Sequence, residues 1–383
     1  MASAIIISII LLFLFVHCVL IESYRKWFLK VKPFIPVSSS VPSIFFSVII
    51  PARNEEHQIA KCLRSVLDQN YPSELFEVIV ADDYSTDNTA GIVRQMQNEY
   101  KNLRLLQIEK LLPQKQLNSY KKKALELAIQ QANGDWIVTT DADCNVSEEW
   151  LSNFSNFIQQ NNAVFVAAPV KFINTGSFVS IFQCLDFISL QGITAASVSA
   201  GFHTMCNGAN LAYSKKVFYE VDGFKGIDNI ASGDDMLLMH KIYTRYKTQV
   251  HYLFSKESVV ETLPMETWKD FFNQRIRWAS KADKFEDKRI VFVLIFVYFF
   301  NLSFLLLPFA AIWLDNIGWY WLAMLAGKTV IDFRFMVPVA KFFNEEKLLW
   351  WFPIMQPFHI GYTIIAGWLG KFGKYSWKGR VVK

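Results

Sequence analysis

Two aspartate pairs follow apolar, strand-like segments in the first half of this 383-residue chain. Asp82-Asp83 comes directly after the segment 76–81, and Asp141-x-Asp143 comes directly after the segment 136–140. Short runs of β-branched and aliphatic residues predict buried strands. Ligands of open α/β sheets bind at the edge formed by the carboxyl ends of the strands. The sequence therefore predicts two carboxylate pairs at the ligand-binding edge of one sheet.

Predicted strands and helices alternate along the region that contains these pairs. The strands are Phe45–Ile50, Phe76–Ala81, Leu103–Ile108 and Trp136–Thr140, and the helices are Glu55–Gln69, Thr86–Tyr100 and Lys121–Ala132. A further strand is predicted over Ala163–Val170, after which the pattern is less regular up to residue 255. Alternation of this kind predicts an α/β domain with a mostly parallel sheet and helices on both faces.

The N-terminal segment Ala2–Ile21 is apolar and long enough to cross a bilayer. No Lys or Arg precedes it, which argues against a cleaved signal peptide. Basic residues follow it at once, at positions 25, 26, 30 and 32. The positive-inside rule then predicts an external N-terminus and a cytoplasmic location for the region that follows.

Three more apolar segments follow near the C-terminus, at 290–314, 318–340 and 348–370. The second is interrupted by charged residues, and the third contains Pro353 and Pro357. Three full spans would put the basic tail outside the cell, so one of the last two segments is expected to be interfacial or re-entrant. Charged residues inside a membrane are candidates for function, but Lys328 and Asp332 are four residues apart and can pair on a helix.

Net charge and cysteine pattern narrow the class of partner. The net charge of +5 is modest and concentrated beside the apolar segments, so it favours anionic membrane lipids over nucleic acid. The five cysteines are scattered without metal-type spacing and are typical of reduced cytoplasmic thiols. We therefore expect membrane lipids, and no nucleic acid, among the partners.

The Asp-x-Asp pair has the chemistry of a metal site. Asp141 and Asp143 lie on the same side of an extended chain, and the small Ala142 between them leaves the backbone accessible. Carboxylate oxygens suit Mg²⁺ or Mn²⁺, and such an ion can bind a diphosphate. An aspartate-rich turn without a ligand is the alternative.

Asp82 and Asp83 offer carboxylates at the same predicted edge. A carboxylate there can accept a hydrogen bond from a base N–H or a ribose hydroxyl. Capping of the next helix by Ser85 and Asp87 is the alternative, and both interpretations can hold together.

Two charged groups open predicted helices. Lys121-Lys122-Lys123 begins a helix, where cations oppose the helix dipole, so this run favours a task such as pairing with phosphate. Gly233-Asp234-Asp235 precedes the predicted helix Met236–Tyr246. These carboxylates suit either a helix cap or a general base that takes a proton from an attacking hydroxyl.

Gln274, Arg277 and Trp278 lie on a predicted amphipathic stretch, Trp268–Ala282, just before the C-terminal apolar region. Their spacing of i, i+3 and i+4 puts them on one helix face. They suit an interfacial helix with aromatic and basic anchors. They equally suit a site in which Gln274 and Arg277 hold a diphosphate while Trp278 lines an acceptor channel.

The ordered set of Asp-Asp, Asp-x-Asp, Asp-Asp and Gln-x-x-Arg-Trp resembles the membrane-bound family-2 glycosyltransferases, which include hyaluronan, cellulose and chitin synthases and many single-sugar transferases. The resemblance covers residues 44–282, and the segment 51–56 looks like the first nucleotide-binding loop of that family. It implies an inverting enzyme with a GT-A (Rossmann-like) nucleotide-sugar fold. It also implies a UDP- or GDP-sugar donor, Mg²⁺ or Mn²⁺, and one N-terminal and two to three C-terminal transmembrane helices.

The resemblance also assigns roles to residues. It implies that Ala52, Glu55 and Asp83 contact the nucleoside, with Asp82 as the alternative to Asp83.

Lys122 would approach the diphosphate, and Asp141 and Asp143 would serve the donor and its metal. Asp235 would be the general base, with Asp234 as second choice. Gln274, Arg277 and Trp278 would form a gate beside donor and acceptor.

The expected organisation follows from these assignments. The parts are an N-terminal transmembrane helix (1–22), a linker (23–43), a GT-A catalytic domain (44–262), an amphipathic interfacial segment (263–286), a C-terminal membrane region (290–370) and a basic tail (371–383).

Three functions remain open at this stage. The short membrane part and the Gly-Asp-Asp sequence, where cellulose synthases have Thr-Glu-Asp, favour one transfer to a lipid-linked or saccharide acceptor. Gln-x-x-Arg-Trp favours a processive polysaccharide synthase. A non-catalytic nucleotide-sugar sensor or scaffold is the alternative from another class, but such a protein would be expected to have lost one of the acidic pairs. The expected location is the cell membrane, with a cytoplasmic catalytic domain.

Overall fold

The computed structural model describes residues 2–36, 41–112, 119–230, 232–373, 375–377 and 380–382. Part of the expected linker, 37–40, and the tail lysines 374, 378 and 383 lie outside the described residues. The chain forms two compact units. The helical unit comprises Met1–Val31, Asn174–His203 and Pro264–Tyr375. The α/β unit comprises Lys32–Ile173, Thr204–Leu263 and Ser376–Lys383.

Helices occur in both units. They are α1 (Ala2–Lys30), α2 (Ile59–Leu67), α3 (Thr89–Met96), α4 (Ile108–Leu111), α5 (Tyr120–Gln131), α6 (Trp150–Asn161), α7 (Phe178–Ser199), α8 (Lys215–Glu220), α9 (Met236–Arg245), α10 (Trp268–Ala279), α11 (Lys288–Ala310), α12 (Ile317–Phe343) and α13 (Phe352–Phe372). Short 3-10 helices lie at Ser73–Leu75, Lys256–Ser258, Ala282–Lys284 and Glu346–Trp351.

The strands are β1 (Phe46–Ala52), β2 (Phe76–Asp82), β3 (Leu103–Gln107), β4 (Trp136–Thr139), β5 (Phe165–Ala167), β6 (Val170–Phe172), β7 (Leu211–Ser214), β8 (Val250–Tyr252), β9 (Val260–Thr262), β10 (Tyr375–Trp377) and β11 (Arg380–Val382). Seven of them form one sheet in the order β3-β2-β1-β4-β7-β5-β8, and the pairs β6-β9 and β10-β11 are separate.

The first four strands of the main sheet are parallel, and β7 runs antiparallel to both of its neighbours. Strands β1 and β2 are buried along almost their whole length, as strands covered on both faces are. Ala52 of β1 pairs in register with Asp82 of β2, and β4 lies on the other side of β1. The mostly parallel sheet is therefore confirmed, and the carboxyl ends of β1, β2 and β4 are neighbours.

Element boundaries differ from the predictions where loops or proline intervene. Helices α2 and α3 begin at Ile59 and Thr89, three or four residues later than predicted, because the preceding segments are bound to each other as loops. The strand predicted over 163–170 is divided at Pro169 into β5 and β6. Proline has no N–H for a ladder hydrogen bond, so it favours such a break.

The helical unit contains α1, α7 and α10–α13. Among the described residues, three helices are long and apolar enough to cross a membrane, namely Ser3–Lys30, Phe178–Ser199 and Lys288–Ala310. The first two differ from the sequence prediction, because α1 continues beyond residue 22 and α7 was not predicted as a span. The predicted segment 318–340 lies in α12, and 348–370 runs from the 3-10 helix Glu346–Trp351 into α13; neither α12 nor α13 is among these three helices.

Charged residues inside the helical unit pair with one another. The ammonium of Lys328 lies 2.6 Å from Asp332 Oδ2 and 2.7 Å from Gln356 Oε1. The other carboxylate oxygen of Asp332 lies 2.7 Å from His17 Nε2. The predicted pairing of Lys328 with Asp332 is thus confirmed, and it forms part of a cluster that joins α1, α12 and α13.

Candidate functional site

Asp82 and Asp83 are both buried at the carboxyl end of β2. The carboxylate of Asp82 accepts a hydrogen bond from the backbone N–H of Ser85 at 3.2 Å. The backbone N–H of Asp83 donates to the carbonyl oxygen of Ala52 at 2.8 Å. This hydrogen bond extends the pairing of β1 and β2 by one step and places Ala52 beside Asp83.

Two loops at this edge are bound to each other, a first loop of residues 53–58 and a second loop of residues 83–88. Arg53 donates to the carbonyl oxygens of Asp83 at 2.7 Å and Tyr84 at 3.0 Å. Asn54 and Tyr84 have positive φ angles of 52° and 55°. Asn54 is a residue type that adopts this conformation readily, whereas Tyr84 is held there against its preference. The two loops are therefore built as a single surface beside Ala52 and Asp83.

Side chains fix the first loop to the start of α3. The backbone N–H of Glu55 donates to the hydroxyl of Thr89 at 2.8 Å, and that of Glu56 donates to Asp87 Oδ2 at 3.0 Å. Partial burial would raise the pKa of Asp87, but hydrogen bonds from Thr89 and the backbone N–H of Glu56 outweigh it and hold that pKa below its ordinary value. Asp87 is therefore ionised at neutral pH and stabilises both loops.

The Asp-x-Asp pair occupies a turn directly after β4. The backbone N–H of Cys144 donates to the carbonyl oxygen of Asp141 at 3.1 Å, and the thiol of Cys62 contacts the same oxygen at 3.5 Å. The carboxylate of Asp143 lies 3.7 Å from the Cys144 sulfur. Burial and the nearby carboxylates of Asp143 and Asp141 raise the pKa of the Cys62 thiol, so it stays neutral beside the turn.

Lys121 brings two of the predicted acidic pairs together. Its ammonium lies 2.8 Å from Asp141 Oδ1 and 3.6 Å from Asp234 Oδ2. Burial alone would lower the pKa of Lys121, but the carboxylates of Asp141 and Asp234 outweigh burial and raise it above its ordinary value. A permanent positive charge therefore lies between the Asp-x-Asp turn and the start of α9.

Lys122, to which the resemblance gave the diphosphate, is bonded to backbone carbonyl groups. It is 1% exposed, and its ammonium donates to the backbone carbonyl oxygens of Ile227, Ile230 and Ser232 at 2.8, 2.5 and 2.9 Å. Successive side chains on a helix point about 100° apart, so Lys121 and Lys122 face different surroundings. In this structure Lys122 holds the segment that leads to Asp234, and Lys121 is the lysine beside the carboxylates.

Asp235 caps α9, as the alternative interpretation predicted. One carboxylate oxygen accepts from the N–H of Met236 at 2.7 Å, and the other accepts from the N–H of Gly208 at 3.1 Å. Asp234 has a 13% exposed side chain directed at Lys121. The adjacent carboxylates thus have different surroundings, since Asp235 is fixed by backbone N–H groups and Asp234 by a cation.

Gly208 is a residue of this site that the sequence did not reveal. The hydroxyl of Thr139 donates to its carbonyl oxygen at 2.7 Å. A Cβ atom at this position would lie 3.6 Å from Asp234 Oδ2 and 3.7 Å from the Lys121 ammonium. One narrow pocket is lined by Gly208, Lys121, Thr139, Asp234 and Asp235. No local motif marks Gly208, because its neighbours come from distant parts of the chain.

The donor set at the Asp-x-Asp turn fits a divalent cation that is shared with a ligand. The described residues contain no group of three or more His, Cys, Asp or Glu side chains arranged to hold a metal. Asp141 and Asp143 supply two carboxylates, and Asp141 is 36% exposed. Mg²⁺ and similar ions are commonly held by one or two carboxylates, with substrate phosphates and water completing the coordination. The pair suits that arrangement better than an all-protein metal site.

Gln274 and Trp278 meet at Arg275 in the helical unit. The amide oxygen of Gln274 accepts from Arg275 Nη1 at 2.6 Å, and the guanidinium carbon of Arg275 lies 4.2 Å from the centre of the Trp278 ring. Arg277 is half-buried on the same helix, α10. Arg275 was not among the predicted site residues, although it lies inside the Gln-x-x-Arg-Trp motif, directly after Gln274.

Comparison with protein families gives two matches along this chain. The model described as glycosyl transferase family 2 matches residues 47–221. The model described as glycosyl transferase family group 2 matches residues 136–366, which is more than half of the chain. Together the two matches span most of both units.

Individual relatives agree with these matches. Glycosyltransferase AglE of Haloferax volcanii is 35% identical over 200 residues, which are 52% of this chain and 61% of AglE. The probable glycosyltransferase YdaM of Bacillus subtilis is 25% identical over 312 residues, which are 76% of this chain and 71% of YdaM. The chain thus spans somewhat less than two thirds of AglE and somewhat more of YdaM.

A solved structure gives the fold. The mannosyltransferase PcManGT from Pyrobaculum calidifontis, in complex with GDP-Man and Mn²⁺, superposes with a TM-score of 0.65 at 19% sequence identity. The match covers 94% of this chain and 99% of PcManGT. The fold is therefore GT-A, and the chain belongs to glycosyl transferase family group 2, with a family 2 match over residues 47–221.

Proposed function

We propose that the protein is an inverting glycosyltransferase that uses a UDP- or GDP-sugar. It would transfer the sugar to a lipid-linked or saccharide acceptor at the cytoplasmic face of the cell membrane. One observation carries this proposal. The ammonium of Lys121 contacts the carboxylates of Asp141 and Asp234. This contact lies next to the strand ends that hold Ala52 and Asp83. Family membership supports the reaction class, and the GDP-Man bound to PcManGT supports a nucleotide-sugar donor.

The first and second loops would bind the nucleoside. Asp83 is the first choice for a hydrogen bond to the base or ribose, as the resemblance implied, and Asp82, whose carboxylate accepts from the N–H of Ser85, is the alternative. Ala52 is hydrogen-bonded to the backbone of Asp83, and Glu55 lies on the first loop, which is held by the hydrogen bond from its N–H to Thr89. A surface fixed before binding loses little freedom when the nucleoside is bound.

The donor diphosphate would bind between Asp141, Asp143 and Lys121. Two carboxylates repel a diphosphate on their own, so Mg²⁺ or Mn²⁺ held by Asp141 and Asp143 fits the charge of the site. When bound, the metal would neutralise the diphosphate and stabilise it as a leaving group. Lys121 would add a positive charge on the same side, in the role that the resemblance gave to Lys122.

Asp235 would act as the general base. In an inverting transfer, the acceptor oxygen forms a bond to the anomeric carbon while the bond from that carbon to the diphosphate breaks, and the hydroxyl proton passes to a carboxylate. The N–H groups of Gly208 and Met236 hold the Asp235 carboxylate in a fixed orientation. Asp234 is the second choice, because its carboxylate is paired with the ammonium of Lys121.

Gln274, Arg277 and Trp278 would form the gate beside donor and acceptor. An amide and a guanidinium can donate to diphosphate oxygens, and an indole ring suits a sugar or lipid surface. Gln-x-x-Arg-Trp also favours the second candidate function, a processive polysaccharide synthase. The length of the product distinguishes the two.

The test uses the purified full chain in lipid nanodiscs with Mn²⁺, a panel of UDP- and GDP-sugars, and a membrane-lipid extract. Release of nucleoside diphosphate and the mass of the glycosylated product are measured. One added sugar on a lipid acceptor supports the proposal, and a ladder of products supports the processive enzyme. The protein would be a non-catalytic sensor if it binds a nucleotide sugar but releases no more nucleoside diphosphate from any donor than the Asp143→Ala variant does.

A further inference from the structure

Arg275 is a buried cation at the centre of α10. It is 3% exposed, and its Nε and Nη2 atoms donate to Asp186 Oδ2 at 3.2 and 2.8 Å. Its Nη1 atom donates to the amide oxygen of Gln274 at 2.6 Å. The flat guanidinium also lies over two rings, with its carbon 4.7 Å from the centre of Phe271 and 4.2 Å from that of Trp278. One side chain therefore contacts two of the three gate residues.

Asp186 is held as firmly as its partner. Its side chain lies on α7 and is 3% exposed. The oxygen that does not face Arg275 accepts a hydrogen bond of 2.5 Å from the hydroxyl of Tyr362 on α13 and lies 3.9 Å from His359 Nε2. The position of Arg275 is thus fixed from α7 and, through Asp186, from α13.

The contact with Arg275 determines which end of Gln274 is free to act. A carboxamide is planar, with its oxygen and its NH₂ group on opposite sides. Because the oxygen accepts from Arg275, the NH₂ group is turned away from the arginine and presents two donors. Without Arg275, rotation of the amide by 180° would present an acceptor to any anionic group beside it.

A buried ion pair is a poor device for stability alone. Removing two charges from water is costly, and apolar residues of similar volume often serve as well or better. Here the pair lies directly against Gln274 and Trp278 and bonds or stacks on both. Its location fits a role in orientation, for which arginine is suited by its planar group with five donors.

We propose that Arg275 is a positioning residue that sets the orientation of Gln274 and Trp278, and that Asp186 and Tyr362 hold it in place. This proposal rests on the proposed function only for the roles of Gln274 and Trp278 in sugar transfer. The orientation itself can be measured without enzyme activity.

The first test separates stability from transfer. Asp186→Leu and Arg275→Met each leave one buried charge without its partner, so both single variants should lower Tm. The double variant removes both charges and should recover Tm. Its transfer rate should nevertheless stay about 10²-fold below wild type, the scale of loss that a misplaced group produces. A double variant that transfers as wild type would overturn the proposal.

The Lys328–Asp332 pair offers a matched control. It is another buried ion pair of the helical unit, with contacts to His17 and Gln356 rather than to α10. Lys328→Met combined with Asp332→Leu should leave the transfer rate within a few-fold of wild type. If both double variants lose transfer equally, the loss reflects a general disturbance of the helices and the proposal fails.

A second variant covers the case in which the double variant does not fold. Arg275→Lys keeps the charge beside Asp186, but its compact ammonium lacks the planar fork that reaches Asp186 and Gln274 at once and the flat face that lies over Trp278. ¹⁹F NMR of 5-fluorotryptophan-labelled protein, with the Trp278 resonance assigned by Trp278→Phe, reports the ring environment directly. We expect this resonance to shift or broaden in Arg275→Lys.

The two readouts distinguish the two proposals. If the wild-type protein transfers no sugar but the Trp278 resonance moves, the proposed function fails and the positioning role stands. If the wild-type protein transfers sugar and Arg275→Lys changes neither the resonance nor the kcat and KM of transfer, the positioning role is wrong.

Discussion

Lys121 links carboxylates that are far apart in the chain. Asp141 follows β4 and Asp234 precedes α9, yet both lie within 3.6 Å of one ammonium group. Lys122, the next residue, is buried against three carbonyl oxygens and serves the fold. At the residue scale, two identical side chains in sequence therefore have separate tasks, which substitution can distinguish.

Replacing Lys121 by methionine should mainly lower the rate of transfer, whereas replacing Lys122 should mainly lower the stability of the fold. Lys121→Met removes the positive charge beside the Asp-x-Asp turn, so we expect transfer to fall by about 10²-fold, as when one electrostatic contact to a leaving group is removed, which is more than its loss of stability would explain. Lys122→Met leaves buried carbonyl groups without donors and should destabilise the protein by roughly 1–3 kcal/mol. Thermal unfolding and donor kinetics of both variants check this. Normal transfer in Lys121→Met would contradict it.

The two adjacent aspartates should also differ. Asp235→Asn keeps the shape of the side chain but is a very poor proton acceptor, so turnover should fall by about 10²–10⁴-fold, the usual contribution of a general base. Donor affinity, measured by titration calorimetry, should stay near that of wild type. Asp234→Asn should reduce turnover less. An inactive Asp234→Asn beside an active Asp235→Asn would reverse the assignment, and normal turnover in both would leave Asp235 as a helix cap only.

At the scale of elements, the strand ends position the site and the loops complete it. Neighbouring parallel strands β2, β1 and β4 bring Asp83, Ala52 and Asp141 to one edge. The first and second loops are then held together by side-chain hydrogen bonds, and for this reason α2 and α3 begin later in the sequence than predicted. The local rigidity of this surface depends on the ionised form of Asp87.

Acid should therefore open the two loops. The pKa of Asp87 is lower in the folded protein than its ordinary value of 3.8. The stability that ionised Asp87 gives to the loops is therefore complete above pH 3.8 and is lost as the pH falls through the folded-state pKa. Pulsed hydrogen exchange at the amides of Glu56 and Thr89 should show protection that declines below about pH 4. In Asp87→Asn this dependence should be absent. Equal pH dependence in both proteins would refute the role of Asp87.

Sequence reasoning was successful at this scale where chemistry follows local pattern. The strands β1, β2 and β4 and the carboxylates at their ends were predictable, because parallel strands must end at a common edge. The contacts of Gly208 with Asp235 and of Lys121 with Asp234 were not predictable, since both depend on long-range packing. Helix α7 was missed because polar residues interrupt its apolar pattern, among them Asp186, whose partners Arg275 and Tyr362 lie on other helices.

At the scale of the whole molecule, apolar helices accompany the GT-A fold. Three described helices have the length and composition to cross a membrane, and exposed apolar side chains are numerous on α1 and α11. Basic residues follow the first apolar segment, as the positive-inside rule requires for a cytoplasmic catalytic domain. Nucleotide sugars are cytoplasmic substrates, so this orientation would give the site access to its donor.

Topology can be tested by a single cysteine on the α/β unit. With the five native cysteines replaced, Lys101→Cys places a thiol at an exposed position after α3. We expect a membrane-impermeant thiol reagent to label it only after the cells are permeabilised. A cysteine at Arg94, also exposed on this unit, should behave identically. Labelling of either in intact cells would place the site outside the cytoplasm.

Metal dependence of transfer tests the central claim most directly. Sugar transfer by the purified full chain is measured with its best donor after treatment with EDTA and again after Mn²⁺ is restored. We predict that EDTA abolishes transfer, that Mn²⁺ recovers it, and that Asp143→Ala stays folded by Tm but inactive at any Mn²⁺ concentration, because the diphosphate lacks its counter-cation. Full activity of the wild-type protein in EDTA, or normal transfer by Asp143→Ala, would contradict the proposed metal-dependent glycosyl transfer at this sheet edge.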